Sequence, residues 1–402
     1  MTSPFDIIIV GAGPIGMSTA LACAYYGQSV ALIDARRPDN PTVDGRASTI
    51  AASSVHMLRN LDVWNDLSVH MQPITDMMIG EGAPGDISPL TLHFDGKSQR
   101  ADAMAYIGEN AHLSAALYAA VKKQTNITPF FDRKLVRADT DASLHLASAE
   151  LDDGTTLKAH ILVAADGKNS RLRKMAGIGA PKTDYTQSAI VTTVAHEEDH
   201  GGVAYQMFYA GGPFAILPLP GKRSSLVWTD KTPAIKAAMA LGEAHFMSEL
   251  SRRFGNLFGA LTLDAPRQSF PLTLQMAECY AKGRLALVGD AAHAIHPLAG
   301  QGLNMGLRDA CALAQSIAVQ KSAGLDPLGA LSEYGQWRNF DNTALAGMTD
   351  MLNRLFSNKI LPLRHARRLG LAAVDNATSA KRFFMSEAAG EAGDLPELLQ
   401  VS

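Results

Sequence analysis

Residues 5–34 read FDIIIVGAGPIGMSTALACAYYGQSVALID. FDIIIV (5–10) is a β-branched run of the type buried in a parallel strand. IGMSTALACAYY (15–26) is helical in composition, and SVALID (29–34) is a second strand. Between the first strand and the helix lies GAGPIG, with glycines at 11, 13 and 16. Gly11 permits a sharp turn, Gly13 lets backbone amides approach a pyrophosphate, and Gly16 allows close packing of helix on strand. The helix N-terminus attracts the phosphates. Asp34 closes the second strand 23 residues after Gly11, where a carboxylate can accept hydrogen bonds from a ribose diol. A glycine turn can be merely structural, but in this strand–turn–helix–strand frame it predicts a bound dinucleotide. It does not separate FAD from NAD.

Residues 7–33 carry no charge, and on length alone such a stretch permits a membrane span. Gly11, Gly13, Pro14, Gly16 and Gly27 interrupt it and its apolar period changes midway, so a soluble βαβ unit is expected instead. The chain has 402 residues, 47% hydrophobic and 19% charged, enough for one large or two ordinary domains with a core. That excludes a disordered chain, a collagen and a disulfide miniprotein. A formal charge of −3 gives no general basic surface, and no nucleic-acid partner is expected. Cys23, Cys279 and Cys311 show no CxxC and no ligand spacing, which fits a reducing compartment and no metal site. The start, MTSPFD, lacks the basic region of a signal peptide. A cytoplasmic location is expected, with peripheral contact on the inner face of the membrane as its variant.

Farther along, STIAASSVHMLRNL (48–61) and ENAHLSAALYAAVKKQ (109–124) read as helices, with strands at 133–139, 143–149 and 157–164. From about 184 to 230 the texture alternates: SAIVTTVAH, VAYQMFYA, FAILPLP and SSLVWTD predict an antiparallel sheet. RLALVGD (284–290) is an apolar strand leading to a glycine-rich turn and a helix over 302–321. The pattern implies an α/β fold with a discontinuous, Rossmann-like cofactor domain (1–72, 108–182 and 280–325). A mainly antiparallel substrate domain (73–107 and 183–279) is inserted into it, followed by a helical region over 326–402.

Two further motifs narrow the cofactor. ILVAADGKNSRLRK places Asp166-Gly167, Ser170 and Arg173 after an apolar strand. RLALVGDAAHAIHPLAGQGLNMGLRDA places Gly289-Asp290 at a strand end, then Gly300, Gly302 and Asn304 at a helix start. The acid suits a ribityl or ribose hydroxyl, and the bare helix amides suit the electron-rich edge of a reduced flavin. Taken singly, Asp166-Gly167 reads equally as a hairpin turn and Gly300–Gly302 as a loop.

GAGPIG, AADGKNSRLR and GDAAH–P–GQGLN in this order resemble the class A flavoprotein monooxygenases, which have the fold of p-hydroxybenzoate hydroxylase. GRASTIAASS (45–54), YIGENAHLSAAL (106–117) and LFSNKILPLRHARRLGLAAVD (355–375) are similar to the ubiquinone-biosynthesis hydroxylases, and the likeness spans nearly the whole chain. The resemblance implies FAD as cofactor, NAD(P)H as transient reductant and O2 as co-substrate. It implies ring hydroxylation of a polyprenylated phenol or benzoquinone precursor through a flavin C4a-hydroperoxide. A hydrophobic aromatic or prenyl substrate, and a place in a ubiquinone-biosynthesis complex, follow from it. By position, Gly11, Ala12, Gly13, Pro14, Ile15 and Gly16 would hold the pyrophosphate, with Asp34, Ala35 and Arg36 beside the adenosine ribose. Arg46 and Asn110 would line the flavin side, and Val136 would meet adenine through its backbone. Asp166 and Gly167 form the motif tied to both FAD and NAD(P)H. Gly289 and Asp290 would bind ribityl or ribose hydroxyls, and Pro297, Gly300, Gly302, Leu303 and Asn304 would surround the isoalloxazine. Asp34 stands where the family more often has Glu, and Ala164 where many relatives have Gly.

No residue is assigned to catalysis. His293 and His296 are candidates for a base on a phenol, though the resemblance implies a mainly structural role for both. Tyr205, Met207, Phe208, Phe214 and Trp228 fall on the expected sheet and fit an apolar substrate wall or ordinary core equally. Cys23 and Cys311 read as small core fillers. KILPLRHARRLGL (359–371) interleaves Lys359, Arg364, Arg367 and Arg368 with leucines, a pattern suited to an anionic membrane surface. Pro362 interrupts it and favours a packed helix with a solvated basic face. Three rivals to the quinone reading are a hydroxylase of a small soluble phenol, a flavin-dependent dehydrogenase or ring reductase, and a non-enzymatic flavoprotein subunit.

Overall fold

The computed structural model describes residues 3–39, 45–82, 90–95, 103–255, 257–297, 300–356, 386 and 389–401. The basic stretch 359–371 lies outside them. The opening unit is β1 (Phe5–Val10), α1 (Pro14–Tyr25) and β2 (Val30–Asp34). Next come β3 (Ala47–Ala51), α2 (Ala52–Asn60), α3 (Trp64–Ser68), β4 (Gln72–Ile74), β5 (Asp76–Glu81) and β6 (Leu90–Asp95). β7 (Ala105–Glu109), α4 (Asn110–Lys123), β8 (Ile127–Phe131), β9 (Leu135–Asp139), β10 (Ala147–Leu151), β11 (Thr156–Ala164) and α5 (Arg171–Met175) follow. The alternating region forms β12 (Lys182–His196), β13 (Val203–Tyr209), β14 (Gly212–Leu219) and β15 (Arg223–Lys231). Then come α6 (Thr232–Ala240), α7 (Glu243–Phe254), β16 (Leu261–Leu263), β17 (Gln268–Met276), β18 (Ala281–Lys282), β19 (Leu285–Leu287) and β20 (His293–Ala294). Two long helices complete the order, α8 (Gln301–Ser322) and α9 (Leu328–Phe356).

The first sheet runs β18-β19-β11-β1-β2-β8, with β9 and β10 attached to β11 as an antiparallel ribbon. Its centre is parallel: β1 lies between β2 and β11, and β11 also pairs with β19. Central parallel strands are covered on both faces, so their side chains are continuously apolar rather than alternating. Ile7, Ile8 and Ile9 are accordingly buried without exception. Each such isoleucine contributes about 1.5–3 kcal/mol of hydrophobic stabilisation. α1 packs chiefly against α8 and α4. Its nine residues from Gly16 to Ala24 are all buried, which explains why it carries no polar face.

The second sheet runs β20-β17-β12-β15-β14-β13-β5-β6, with β16 beside β12. Period-two alternation gives it two distinct faces. Met207, Phe214 and Trp228 point to one face, where they join Ile235 of α6 and Phe246, Leu250 and Phe254 of α7 in a single cluster. Tyr205 packs against the same cluster. Phe208 alone of the five aromatic and sulfur candidates turns to the opposite face, stacking on Phe356 of α9 at 4.3 Å. A short third sheet, β3-β7-β4, completes the β structure.

Three differences from the sequence reading have physical causes. Residues 47–51 form β3, not the start of a helix, because Ser48, Thr49 and Ile50 pair across to β7. β20 lies within the segment expected in the cofactor domain, yet it pairs with β17 of the second sheet (Gln275 with Ala294). Residues 389–401, expected in a helical region, contain turns at Gly390 and Gly393 and a single 3-10 turn after Pro396. This last stretch is strapped down: Asn60 donates to the Leu398 carbonyl, and Leu398 and Leu399 enter the main core.

Candidate active site

The turn after β1 is built around close backbone approach. Gly11 sits at φ +109°, and a Cβ there would meet the Ala165 carbonyl oxygen at 2.3 Å. A Cβ on Gly16 would strike the Gly11 carbonyl oxygen at 1.8 Å. Gly13 differs from both: a Cβ there meets nothing within 4 Å. Gly13 is also the N-cap of α1, with no side chain capping it, no acid in the first turn and Pro14 just inside the helix. The open backbone at a bare helix N-terminus is what an approaching phosphate requires. Ala12 donates its N–H to Asp34 Oδ2 at 2.6 Å, and Arg36 donates to Oδ1 at 2.9 Å. Asp34 therefore locks the turn in place; a carboxylate has lone pairs beyond those two. Ala35 and Arg36 lie exposed just beyond it. Val136 stands on β9, also exposed.

Asp166 and Gly167 follow β11 directly behind that turn. Asp166 Oδ2 accepts from the N–H groups of Arg171 and Leu172 at 2.7 and 3.3 Å, capping α5. Its Oδ1 is buried with no partner. Ser170 caps Arg173 at 3.0 Å, and the buried Arg173 guanidinium donates to the Ala291 and Lys168 carbonyls. The AADGKNSRLR motif thus clamps the Gly11 turn to the Gly289 turn.

At that second turn Ile15 is the wedge. It lies where a Cβ on Gly289 or Gly306 would need to sit. Gly289 donates its N–H to Asp309 Oδ2 at 3.0 Å. Asp290 follows, open to solvent yet crowded by protein. The crowding raises its carboxyl above the ordinary range, against the pull of His293, Lys168 and Arg46. Pro297 and Gly300 lead into α8, whose N-cap Gly300 has no side-chain cap and whose first turn has no acid. Gly302, like Gly13, faces open space. Leu303 packs on the main core, and Asn304 is committed to the scaffold. Asn304 accepts from the Ala51 N–H and the Ser54 hydroxyl and donates to the Thr49 carbonyl, tying α8 to β3 and α2. Arg46 lies over the Phe270 ring at 5.5 Å. Asn110 receives α4 at its start, donates its N–H to the Arg46 carbonyl and holds a buried Oδ1 with no partner.

Several buried polar groups around the site escaped the sequence reading. Asp309 and Arg338 are buried to 0% and 1% exposure and form an ion pair at 2.8 Å. His293 donates from Nε2 to the same carboxylate at 2.6 Å, and Asn342 donates to it at 3.0 Å. Burial works to raise the Asp309 carboxyl, but His293 and Arg338 outweigh it and hold it well below the usual range. A signal existed: Asp309 interrupts the apolar stripe of α8 between Leu307 and Cys311. Tyr185 gave none, because β12 bulges between Asp184 and Ser188 and breaks the alternation there.

Two bare, glycine-lined helix N-termini, an exposed acid after a strand end and an orphaned Asn110 oxygen form a donor and acceptor set that fits FAD. A sequence-family model described as an FAD binding domain matches residues 4–336. This chain belongs to that FAD-binding family. The flavoprotein is 43% identical to the ubiquinone hydroxylase UbiL of Rhodospirillum rubrum over 393 residues, covering 96% of this chain and 89% of that one. It is 34% identical to the 3-demethoxyubiquinol 3-hydroxylase of Escherichia coli, covering 96% and 99%. Among solved structures, p-nitrophenol 4-monooxygenase PnpA of Pseudomonas putida superposes with a TM-score of 0.80 over 97% of this chain and 99% of that one. At 20% identity that likeness speaks for the shared fold alone.

Proposed function

We propose that this flavoprotein is a monooxygenase that hydroxylates the ring of a polyprenylated phenol or quinol on the way to ubiquinone. The observation that carries the reading is full-length kinship with a ubiquinone hydroxylase at 43% identity, joined to a wall of suitable chemistry beside the cofactor cradle. That wall can be followed residue by residue. His296, four residues before Gly300, meets Tyr185 edge to face at 5.3 Å. From the same strand Gln187 accepts from Asn353 of α9 at 3.1 Å. On that helix Leu352, Leu355 and Phe356 pack with Phe208 and Ile79. An apolar wall of this kind takes a prenylated ring and keeps water from the reaction.

When bound, FAD supplies the activation of O2 and the transfer of one oxygen atom, with NAD(P)H as reductant. The chain's part is to hold and orient. The α1 N-terminus around Gly13 would carry the pyrophosphate, and Asp34 would stand at the adenosine ribose. Asp290 would accept from ribityl hydroxyls, and the α8 amides around Gly302 would stabilise negative charge on the flavin. Among the described residues no helix is long and apolar enough to cross a membrane. The test is a mass-spectrometric quinone profile of a strain lacking the gene, grown in air. Loss of ubiquinone with build-up of a prenylated phenol one oxygen short is expected. An unchanged profile would overturn the lipid reading in favour of a small soluble phenol.

A further inference from the structure

His296 is 1% exposed, and neither ring nitrogen has a hydrogen-bond partner. The Tyr185 hydroxyl beside it is also buried, with the Asp350 carboxylate of α9 facing it. These groups come from three separate places in the chain: the loop before α8, the bulge of β12 and the last two turns of α9. Each orphaned polar atom costs roughly 1–3 kcal/mol. Clustered orphans therefore call for an occupant rather than for packing.

The chemistry of the occupant follows from the ring. Desolvation pushes the His296 imidazole down to about 4, so it is neutral at physiological pH. A neutral imidazole offers one N–H donor and one lone-pair acceptor. The charges on this side, Asp350 and Arg354, are paired to each other at 2.9 Å, and a ring hydroxyl beside a second ring oxygen matches the neutral donor and acceptor that His296 itself offers. We propose that His296, braced edge-on by Tyr185, is the hydrogen-bond anchor for the ring oxygens of a phenolic or quinol substrate. The proposal rests on the ring-hydroxylation reading above. It makes His296 an orienting group, since burial disfavours the charged imidazolium that a base on a phenol must become.

The test uses the FAD-loaded protein, a short-chain prenylphenol and the same prenylarene without its ring hydroxyl, with binding read as a change in flavin absorbance. Flavin content is measured first. Wild type is expected to prefer the phenol by about tenfold or more, the scale of one buried hydrogen bond. His296→Leu should keep its flavin, fold at least as stably and bind the two probes alike. His296→Gln should recover part of the preference. An undiminished preference in His296→Leu overturns the anchor. So does flavin loss from both variants, which would assign the histidine to the cofactor. A wild-type protein that binds neither probe, and whose O2 uptake no phenol stimulates, brings down the ring-hydroxylation reading itself.

Discussion

His293 and His296 stand three residues apart in one loop, each about 1% exposed, and their surroundings could hardly differ more. His293 is gripped through Nε2 by Asp309, which also holds Arg338, Asn342 and the Gly289 N–H. Neither ring nitrogen of His296 has a partner; the ring meets Tyr185 edge to face, and the Tyr185 hydroxyl faces Asp350. Burial is the same in both cases; His293 has one ring nitrogen partnered and its Nδ1 without a partner, whereas His296 has neither nitrogen partnered. A buried polar group with its partners is scaffold, and one without them is a place kept for something else. The same division separates Gly16, whose missing Cβ is filled by backbone, from Gly13, which faces open space.

The largest effect should come from the His293 side, where Asp309 gathers its partners. Asp309→Ala takes the buried carboxylate from Arg338, which keeps Asp341 at 2.7 Å, and breaking a buried pair in this way typically costs about 3–5 kcal/mol. Urea unfolding of the variant should show that loss, and the Asp309→Leu, Arg338→Leu pair should recover part of it because both members of the buried pair are gone. A single variant within 1 kcal/mol of wild type would mean that the network is not the scaffold inferred. Next in size is a pH effect on the open side. The unfolded chain takes up a proton on His296 below about 6.5, whereas the folded site refuses it until about 4. Between those values the unfolded state holds more protons, so stability falls as pH drops through the window. The contribution is about 3 kcal/mol, read as the difference between wild-type and His296→Gln unfolding curves. Parallel curves between pH 4 and 6.5 would put His296 in water, not in an apolar site.

What could be read from the chain in advance divides along the same line. β1, α1 and β2 were legible because strand period, glycine spacing and a closing acid are local signals. The sheet with two faces was legible from alternation, but which face meets the site was not. Phe208 differs from Met207 and Phe214 only by parity, and parity has no sign until α6 and α7 cover one face. Residues 47–51 were misread because their partner strand lies more than fifty residues away. The two histidines looked equivalent for the same reason. Asp309 and Arg338, which single out His293, arrive from two later helices, and Tyr185 reaches His296 only because a bulge re-aims it.

The smallest change in stability should accompany the sharpest change in function, at the glycines. Gly13→Ala adds a methyl where nothing stands within 4 Å, at an extended backbone with φ −71° and ψ 178° that alanine adopts freely. As an N-cap change it should move the stability of the flavin-free protein by no more than about 1 kcal/mol. Gly16→Ala, by contrast, drives a methyl into the Gly11 carbonyl and must displace α1 from β1. Both variants should lose FAD, but for opposite reasons: Gly16→Ala by deforming the turn, Gly13→Ala by blocking the phosphate approach while leaving the turn intact. Circular dichroism melts of the flavin-free proteins, paired with FAD titration by fluorescence quenching, separate the two. Full FAD affinity in Gly13→Ala would show that the open space at this helix N-terminus is not where the pyrophosphate lies, and the division between filled and waiting positions would fail at its simplest example.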